Sequence, residues 1–290
     1  MKVLITGVTG LIGSALRDAL QLRGDDVTGV SRSAADGVIT WGDLTPELMS
    51  DFDVVVNLAG ESIAGRWTKS KKEKIMASRV DSTVSIAKLI TESENPPTCL
   101  VQASAAGFYG SCGDYVLDEE SPVGKEFLAE VCERWEAAAA PVAEAGLRVV
   151  FPRFSIVLAK GPGALGRLSL LTRLCLGGPL GSGRQWWSWV SLEDTVRALL
   201  FLMDSEISGP VNVATDSPQQ QKKFASVLGK VLRRPAFLPT PGIALRLGLG
   251  EMGKALLLDS MRLKPAVLSE NGFEFKDAQL EDTLERILKS

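Results

Sequence analysis

The sequence predicts an α/β fold in which helices cover both faces of a doubly wound parallel sheet. Short runs rich in Val, Ile and Leu alternate with stretches of helical length over more than half of the 290-residue chain. This rhythm is typical of parallel sheets, because each crossover between parallel strands needs a helix-sized connection. The apolar fraction of 45% suits a well-buried core.

The elements can be assigned in chain order. Apolar runs predict strands in KVLITG, DVTGVSR, DVVVNLAG, TCLVQASA and LRVVFPRFSIVL. Helices are predicted between these strands at 11–23, 69–93 and 124–145. The pattern resumes later in the chain with a helix at 193–204 and a strand in GPVNVAT.

Two segments break this rhythm and predict a smaller, mostly helical C-terminal substrate lobe. Residues 159–189 contain Gly/Pro-rich loops, and residues 217–290 are mostly helical with interspersed prolines. The main domain is therefore predicted to comprise residues 1–158 and 190–216. A cleft between the two lobes is the expected ligand site.

Composition excludes several functional classes. A net charge of −3 and a pI near 5.3 provide no basic field for a nucleic acid. The chain has no histidine, which removes the commonest zinc ligand and general base, and no metal site is predicted. Four scattered cysteines suggest a reducing, cytoplasmic compartment. No apolar run reaches the roughly 18 residues that a membrane span needs.

Three glycines follow the first predicted strand, in LITGVTGLIGSAL. Gly7 permits a tight turn, Gly10 lets the backbone approach a pyrophosphate, and Gly13 lets the next helix pack close to the sheet. The helix N-terminus offers N–H groups and a partial positive charge to phosphates. The main domain is thus predicted to be a Rossmann-type dinucleotide-binding domain. The residues of this turn expected to line the site are Gly7, Thr9, Gly10, Leu11, Ile12 and Gly13.

The end of the second predicted strand indicates which dinucleotide binds. An NAD site usually has an acid here for the ribose hydroxyls, whereas this chain has Ser31, Arg32 and Ser33. Arginine suits a 2′-phosphate, and such a hydrogen bond contributes roughly 1.5–3 kcal/mol. We therefore predict NADP(H) as the cofactor, with Ser31 and Arg32 in its site. The alternative is that Arg32 is a solvated loop residue.

Two further segments are expected beside the dinucleotide. Asp43 could flank the adenine, or it could be an ordinary turn aspartate. Leu58, Ala59 and Gly60 end a predicted strand beside the pyrophosphate and ribose. Glu61 follows them in the same site, where it could serve as a base or bind the backbone at a helix start.

Several motifs carry a family resemblance over nearly the whole chain. They are TGVTGLIG at 6–13, NLAG at 57–60, SAAGFYG at 104–110 and VSLEDTVRAL at 190–199. With them the chain resembles the extended short-chain dehydrogenase/reductase family of NAD-dependent epimerases and dehydratases. FLAEVCERWEAAA and GGPLGSGRQWWSW narrow the resemblance to the atypical SDR39U1-type and YfcH-like (SulA-like) branch, which indicates a family rather than a specific reaction.

The resemblance implies a catalytic tyrosine, a lysine four residues later, and an upstream serine, which Ser104 matches. The tyrosine and lysine positions hold Leu128 and Cys132, so the usual acid–base pair is absent. The candidate catalytic residues are therefore Ser104, Tyr109 and Cys132. Tyr109 could act as an acid or cap a packed loop, and Cys132 could lie near the nicotinamide or in the core.

The predicted substrate residues lie where the sheet meets the second lobe. Arg153 could hold an acidic substrate. Trp186 and Trp187 could form flat apolar walls for a planar substrate, or they could close the interface between the lobes. Asp194 is expected to start the helix at 193–204.

Three functions are compatible with these residues. The first is an NADP(H)-dependent oxidoreductase or epimerase with an unknown small-molecule substrate and hydride chemistry supplied by the cofactor. The second is a non-catalytic NADP(H)-binding regulator or scaffold, and the third is a sugar-nucleotide-binding module. The missing tyrosine and lysine favour the second, whereas Ser104, Tyr109 and the tryptophans favour the first. The resemblance also permits a homodimer built from the helical stretches 69–93 and 124–145.

Overall fold

The computed structural model describes residues 1–161 and 163–289. Pro162 and Ser290, which fall in the predicted second lobe, lie outside these residues. The helices are α1 (Leu11–Arg23), α2 (Pro46–Met49), α3 (Lys69–Glu92), α4 (Phe127–Ala137), α5 (Ala140–Glu144), α6 (Ala164–Arg173), α7 (Leu192–Asp204), α8 (Gln221–Leu232), α9 (Gly242–Gly253), α10 (Ala266–Glu270) and α11 (Leu280–Lys289). None of these described helices is long and apolar enough to cross a membrane.

The strands are mostly short. They are β1 (Lys2–Thr6), β2 (Asp26–Ser31), β3 (Val38–Thr40), β4 (Val54–Asn57), β5 (Cys99–Gln102), β6 (Ser104–Ala105), β7 (Val116–Leu117), β8 (Arg148–Phe154), β9 (Ile156–Leu158), β10 (Trp186–Trp187), β11 (Trp189–Ser191), β12 (Gly209–Val213), β13 (Gln219–Gln220) and β14 (Arg262–Leu263). The first four predicted strands and the helix at 11–23 are found close to their expected positions.

A parallel sheet forms the centre of the protein. Its strand order is β3–β2–β1–β4–β5–β8–β12, with β6 also pairing with β8. The order runs outward from β1 in both directions, which is the doubly wound arrangement. β4 is buried along its whole length, as expected of a parallel strand covered on both faces. The predicted fold class is confirmed.

Alternation along β1 separates two hydrophobic layers. Val3 and Ile5 pack with α1 and α7 on one face of the sheet. Leu4 packs with α2, α3 and α5 on the other face. Successive side chains of a strand point to opposite faces, so this one strand contributes to both layers.

The predicted helix at 124–145 is two helices in the structure. α4 ends at Ala137, and α5 begins at Ala140 with Pro141 in its first turn. Proline lacks the N–H that would continue the ladder of the preceding helix, but it fits the first turn of a new one. The prediction of a single helix is therefore wrong at this point.

A separate apolar core lies between α6, α8 and α11. Trp187, Trp189, Phe224 and Leu284 are buried in it. The segment from β14 to Phe273 packs against the helices of the central sheet, although the sequence pattern assigns it to the smaller lobe. Within it, Leu268 and Phe273 join the core that contains α1 and α7. The division into two lobes stays a prediction.

Asp194 binds the backbone just after the segment that ends at Phe273. Ser191 caps α7 by accepting a hydrogen bond from the Asp194 N–H, at 3.0 Å. The fully buried Asp194 carboxylate accepts from the backbone N–H groups of Lys276 (3.1 Å) and Asp277 (2.8 Å). Asp194 thus lies in the first turn of the expected helix, but its carboxylate anchors the C-terminal segment instead of capping that helix.

Candidate functional site

A row of buried polar side chains crosses the carboxyl ends of β1, β4 and β5. Thr6, Asn57 and Gln102 are register partners on these strands. The Thr6 hydroxyl donates to Oδ1 of Asn57 at 2.5 Å, and Nδ2 of Asn57 donates to Oε1 of Gln102 at 2.9 Å. The Ala59 N–H donates to Oγ1 of Thr6 at 3.2 Å. This row fixes the loop after β4 against β1. Each member ends an apolar run, but the sequence pattern does not indicate that they bind one another.

The glycine turn forms a close-packed cradle. Gly7 has a φ of +67°, and a Cβ there would lie 2.6 Å from the Leu58 carbonyl oxygen. A Cβ on Gly13 would overlap the Gly7 carbonyl oxygen. Gly10 is the N-cap of α1, and no side chain of the described residues caps this end. The first N–H groups of α1, at Leu11, Ile12 and Gly13, are therefore available to an anion such as a diphosphate.

Arg32 lies just beyond β2 with an exposed side chain. Its guanidinium makes no hydrogen bond or ion pair within the described residues. The neighbouring Ser31 hydroxyl is held by the Ser33 backbone, donating to its carbonyl at 2.6 Å. Arg32 is thus a cation without a hydrogen-bonded partner among the described residues, one strand away from the glycine turn, and its charge helps to lower the pKa of Glu61.

Asp43 and Glu61 both have partners in the protein. The Asp43 carboxylate accepts from the Thr40 hydroxyl (2.7 Å) and N–H (2.8 Å), and these bonds lower the pKa of Asp43. Asp43 therefore acts as a turn aspartate, and its contact with the adenine stays a prediction. Glu61 accepts from Nζ of Lys71 at 2.7 Å, which lowers the pKa of Glu61. Its carboxylate does not bind backbone at the start of α3, because the Thr68 hydroxyl caps that helix.

A second polar cluster joins β6, β8 and α4. Ser104 and Arg153 are register partners. Arg153, nearly fully buried, donates from Nε and Nη2 to the two carboxylate oxygens of Glu136, at 2.9 and 2.8 Å. The Ser104 hydroxyl donates to Oε1 of the same carboxylate at 2.5 Å. The expectation that Arg153 binds an acidic substrate is corrected by this geometry, since an internal carboxylate already takes its guanidinium.

Tyr109 is packed inside the protein, at the end of a 3₁₀ turn over Ala106–Tyr109. Its hydroxyl donates to Oδ1 of Asn212 at 2.8 Å and accepts from Nη1 of Arg153 at 2.9 Å. Burial raises the pKa of Tyr109 to about 12, although Arg153 acts in the opposite direction. Of the two roles considered for Tyr109, the structure has the packed one, which leaves its proton poorly available at neutral pH.

Cys132 is also a core residue. Its Sγ lies 3.6 Å from the Ala105 carbonyl oxygen, to which the thiol donates. Burial, together with the Glu136 carboxylate, raises the pKa of Cys132 to about 12. A Cβ on Gly107 would lie 3.1 Å from Cβ of Leu128 and 3.8 Å from the Cys132 sulfur. Leu128 and Cys132 therefore pack under the 3₁₀ turn, and the thiol stays protonated.

The two candidate tryptophans differ in their surroundings. Trp187 is 4% exposed and packs edge-on against Phe224, with ring centroids 5.4 Å apart. Its burial in the apolar core between α6, α8 and α11 corrects the expectation that it forms a substrate wall. Trp186 donates from Nε1 to Asp114 at 2.7 Å, and the Arg262 guanidinium lies 4.3 Å from its ring centroid. Trp186 therefore keeps a partly open face, and its substrate contact stays a prediction.

Comparison with protein families identifies the family of this chain. Residues 3–214 match the family described as the NAD dependent epimerase/dehydratase family. The chain belongs to this family. Residues 240–287 match a domain of unknown function, DUF1731.

Relatives with this family name extend over the whole chain. An epimerase family protein of Mycobacterium bovis is 38% identical over 281 residues, covering 94% of this chain and 93% of the relative. The epimerase family protein SDR39U1 of Mus musculus is 35% identical over 294 residues, covering 99% and 100%. These relatives confirm the resemblance to the SDR39U1-type branch.

Solved structures of the family agree with this placement. Human SDR39U1 (isoform 2), crystallised with NADPH, is 32% identical with a TM-score of 0.93 over 100% of both chains. A nucleoside-diphosphate sugar epimerase from Corynebacterium glutamicum is 34% identical with a TM-score of 0.82, over 99% of this chain and 58% of that one. UDP-glucuronic acid 4-epimerase from Bacillus cereus, at 17% identity and a TM-score of 0.81, shares the fold.

Proposed function

We propose that this protein binds NADP(H) and acts as an oxidoreductase or epimerase-like enzyme on a small substrate. The observation that carries the proposal is the glycine cradle, which brings the backbone close to the uncapped N-terminus of α1. Side chains at Gly7 or Gly13 would fill this space, so its shape fits a diphosphate held by main-chain N–H groups. The NADPH in the crystal structure of human SDR39U1, a full-length match, supports the same cofactor.

The adenosine half would lie toward β2. Arg32 follows that strand without a hydrogen bond or ion pair to the described residues, so a 2′-phosphate would give it a charge-assisted hydrogen bond. The loop from Leu58 to Glu61, fixed against Gly7 by the polar row, would flank the ribose. The bound dinucleotide would supply hydride chemistry, and the protein would supply its orientation.

Ser104 is the residue that we assign to the substrate. Ser104 is 1% exposed, so a substrate must displace its neighbours to reach it. Its proton is directed to Glu136, which leaves the lone pairs of its oxygen to accept from a substrate hydroxyl or N–H. Glu136 is in turn fixed by both nitrogens of Arg153. In this arrangement Ser104 orients the substrate, and Glu136 and Arg153 position Ser104.

A second candidate function is a non-catalytic NADP(H)-binding regulator. The observation that favours it is the burial of Tyr109 and Cys132, each with a pKa raised to about 12, mainly by desolvation. Neither group exchanges a proton readily at neutral pH. Under this alternative the cofactor site is unchanged and the protein has no turnover.

Calorimetric titrations with NADPH and NADH test the cofactor assignment. We expect NADPH to bind more tightly, and Arg32→Ala to weaken NADPH binding roughly tenfold to a hundredfold while leaving NADH binding unchanged. Arg234→Ala, at an exposed arginine after α8, is the matched control. Equal affinity of the wild-type protein for the two dinucleotides would contradict the assignment.

Slow NADPH oxidation, followed by absorbance, distinguishes the two functions. The panel contains carbonyl compounds, quinones and nucleotide sugars. Turnover that is lost in Ser104→Ala, with NADPH affinity retained, supports the enzyme. Tight NADPH binding without turnover on any compound supports the regulator.

A further inference from the structure

Arg79, on α3, is a half-buried arginine without a carboxylate bound to its guanidinium. Its Nη1 donates to the carbonyl oxygens of Glu61 at 3.0 Å and Ile75 at 3.1 Å. Nε and Nη2 donate to none of the described residues, and neither is sealed away from solvent. In Arg153 the same two nitrogens bind Glu136. Arg79 therefore has two donors that remain available to a ligand.

Arg79 lies between the loop after β4 and the Ser104–Glu136 cluster. A Cβ on Gly60 would lie 3.2 Å from Cζ of Arg79 and 3.3 Å from its Nη2, so the absence of a side chain there leaves room for the guanidinium. On its other side, the guanidinium lies over the ring of Trp135, 5.0 Å from the centroid. Trp135 directly precedes Glu136 on α4. The free donors thus stand at the junction of the two clusters.

The strand order determines which part of a dinucleotide reaches this junction. β2, followed by Arg32, lies on one side of β1, whereas β4 and β5 lie on the other. If the diphosphate binds at the glycine turn after β1 and the adenosine lies toward Arg32, the nicotinamide half extends toward β4 and β5. Gly60 and Arg79 are on that side.

The positive charge of Arg79 determines which ligand groups suit this junction. Burial lowers the pKa of the Arg79 guanidinium, but an arginine remains protonated at neutral pH. A partly buried cation with unfilled donors is best stabilised by ligand oxygens. A positive charge near a nicotinamide also favours the neutral reduced ring over the cationic oxidised ring.

We propose that Arg79 binds the nicotinamide half of the dinucleotide, with Nε and Nη2 donating to the oxygens of its ribose. The proposal rests on the NADP(H) site proposed above and adds a contact that favours the reduced cofactor. It makes Arg79 a cofactor-binding residue in a helix that no sequence motif marks.

Binding titrations of Arg79→Met and Arg79→Lys test this contact. The ligands are NADPH, NADP⁺ and adenosine 2′,5′-bisphosphate, which contains the adenosine half only. We expect Arg79→Met to weaken NADPH binding by about tenfold or more. The bisphosphate should bind as it does to the wild-type protein, and the preference for NADPH over NADP⁺ should narrow. Arg79→Lys, which keeps the charge, should retain much of that preference.

The outcomes separate this inference from the proposed function. Unchanged NADPH affinity in folded Arg79→Met overturns the contact alone. An equal loss of NADPH and bisphosphate binding also overturns it, because that pattern indicates a purely structural role for Arg79 in the loop. If the wild-type protein binds neither NADPH nor the bisphosphate, the proposed function fails and this inference fails with it. The thermal unfolding midpoint of each variant verifies its fold.

Discussion

The Ser104 hydroxyl donates a 2.5 Å hydrogen bond to Oε1 of Glu136. The same oxygen accepts from Nε of Arg153, the register partner of Ser104 across β6 and β8. α4 thus supplies the carboxylate that neutralises a buried cation at the carboxyl edge of the sheet. It keeps a structural part in the site, even though Leu128 and Cys132 occupy the positions of the family's tyrosine and lysine.

Removing this carboxylate charge should be costly. We expect Glu136→Gln to lower the free energy of unfolding by about 3–5 kcal/mol, because it leaves the Arg153 charge buried and unpaired. Urea unfolding of the variant and the wild-type protein measures the difference.

Glu130 provides a control on the same helix. It forms an exposed ion pair with Arg134, one turn away. Glu130→Gln should change the free energy of unfolding by less than about 0.5 kcal/mol. Similar small effects at Glu130 and Glu136 would mean that the buried pair contributes little.

Tyr109 should make the stability fall in alkali. Its pKa is raised from 10.0 to about 12 in the folded protein, mainly by burial, so the unfolded chain loses this proton first. The contribution of the Tyr109 phenol to the free energy of unfolding is therefore complete below pH 10 and is lost as the pH rises toward about 12. A shift of this size corresponds to about 2–3 kcal/mol.

Tyr109→Phe isolates this contribution. Unfolding at several pH values should give a flatter alkaline decline for the variant than for the wild-type protein. Cys99 and Cys132, whose pKa values burial raises to about 11 and about 12, contribute to the decline in both proteins. Identical slopes would show that the pKa of Tyr109 is not raised in the folded protein.

The fold could be predicted because its signals are local. Apolar runs of β1, β4 and β5 alternate with helical stretches, and the Gly7–Gly13 spacing lies within one turn. The break between α4 and α5 was missed because an alanine-rich stretch continues the helical pattern up to Pro141. A helix predicted from propensity alone runs through such a junction.

The candidate site was less predictable because its contacts are distant in sequence. Tyr109 and Asn212 are 103 positions apart, and Glu136 meets Arg153 across the edge of the sheet. Arg153 has its guanidinium bound by a carboxylate of the protein, whereas Arg79 retains donors without a protein partner. The residue type is the same in both cases, so the sequence does not indicate which arginine has free donors.

Cys132 should resist alkylation in the folded protein. It is buried, and its raised pKa of about 12 leaves almost no thiolate at pH 8. With iodoacetamide, we expect the exposed Cys175 to react first and Cys132 to react only after denaturation. Peptide mass spectrometry over time measures both residues in one sample. Rapid labelling of Cys132 under native conditions would show an accessible thiol and reopen its catalytic role.

Gly13→Ala should damage both the fold and cofactor binding. The added Cβ would overlap the Gly7 carbonyl oxygen, so α1 must move away from the glycine turn. We expect a loss of about 1–3 kcal/mol in the free energy of unfolding, together with weaker NADPH binding.

Gly248→Ala is the matched control, because its Cβ would meet open space in α9. It should leave NADPH binding unchanged and should preserve or raise stability, since alanine favours a helix by roughly 1 kcal/mol over glycine. Thermal unfolding and calorimetry with NADPH measure both effects. If Gly13→Ala matched Gly248→Ala in stability and NADPH binding, the close approach of α1 to the glycine turn would not be what forms the cradle. The diphosphate would then have to bind elsewhere.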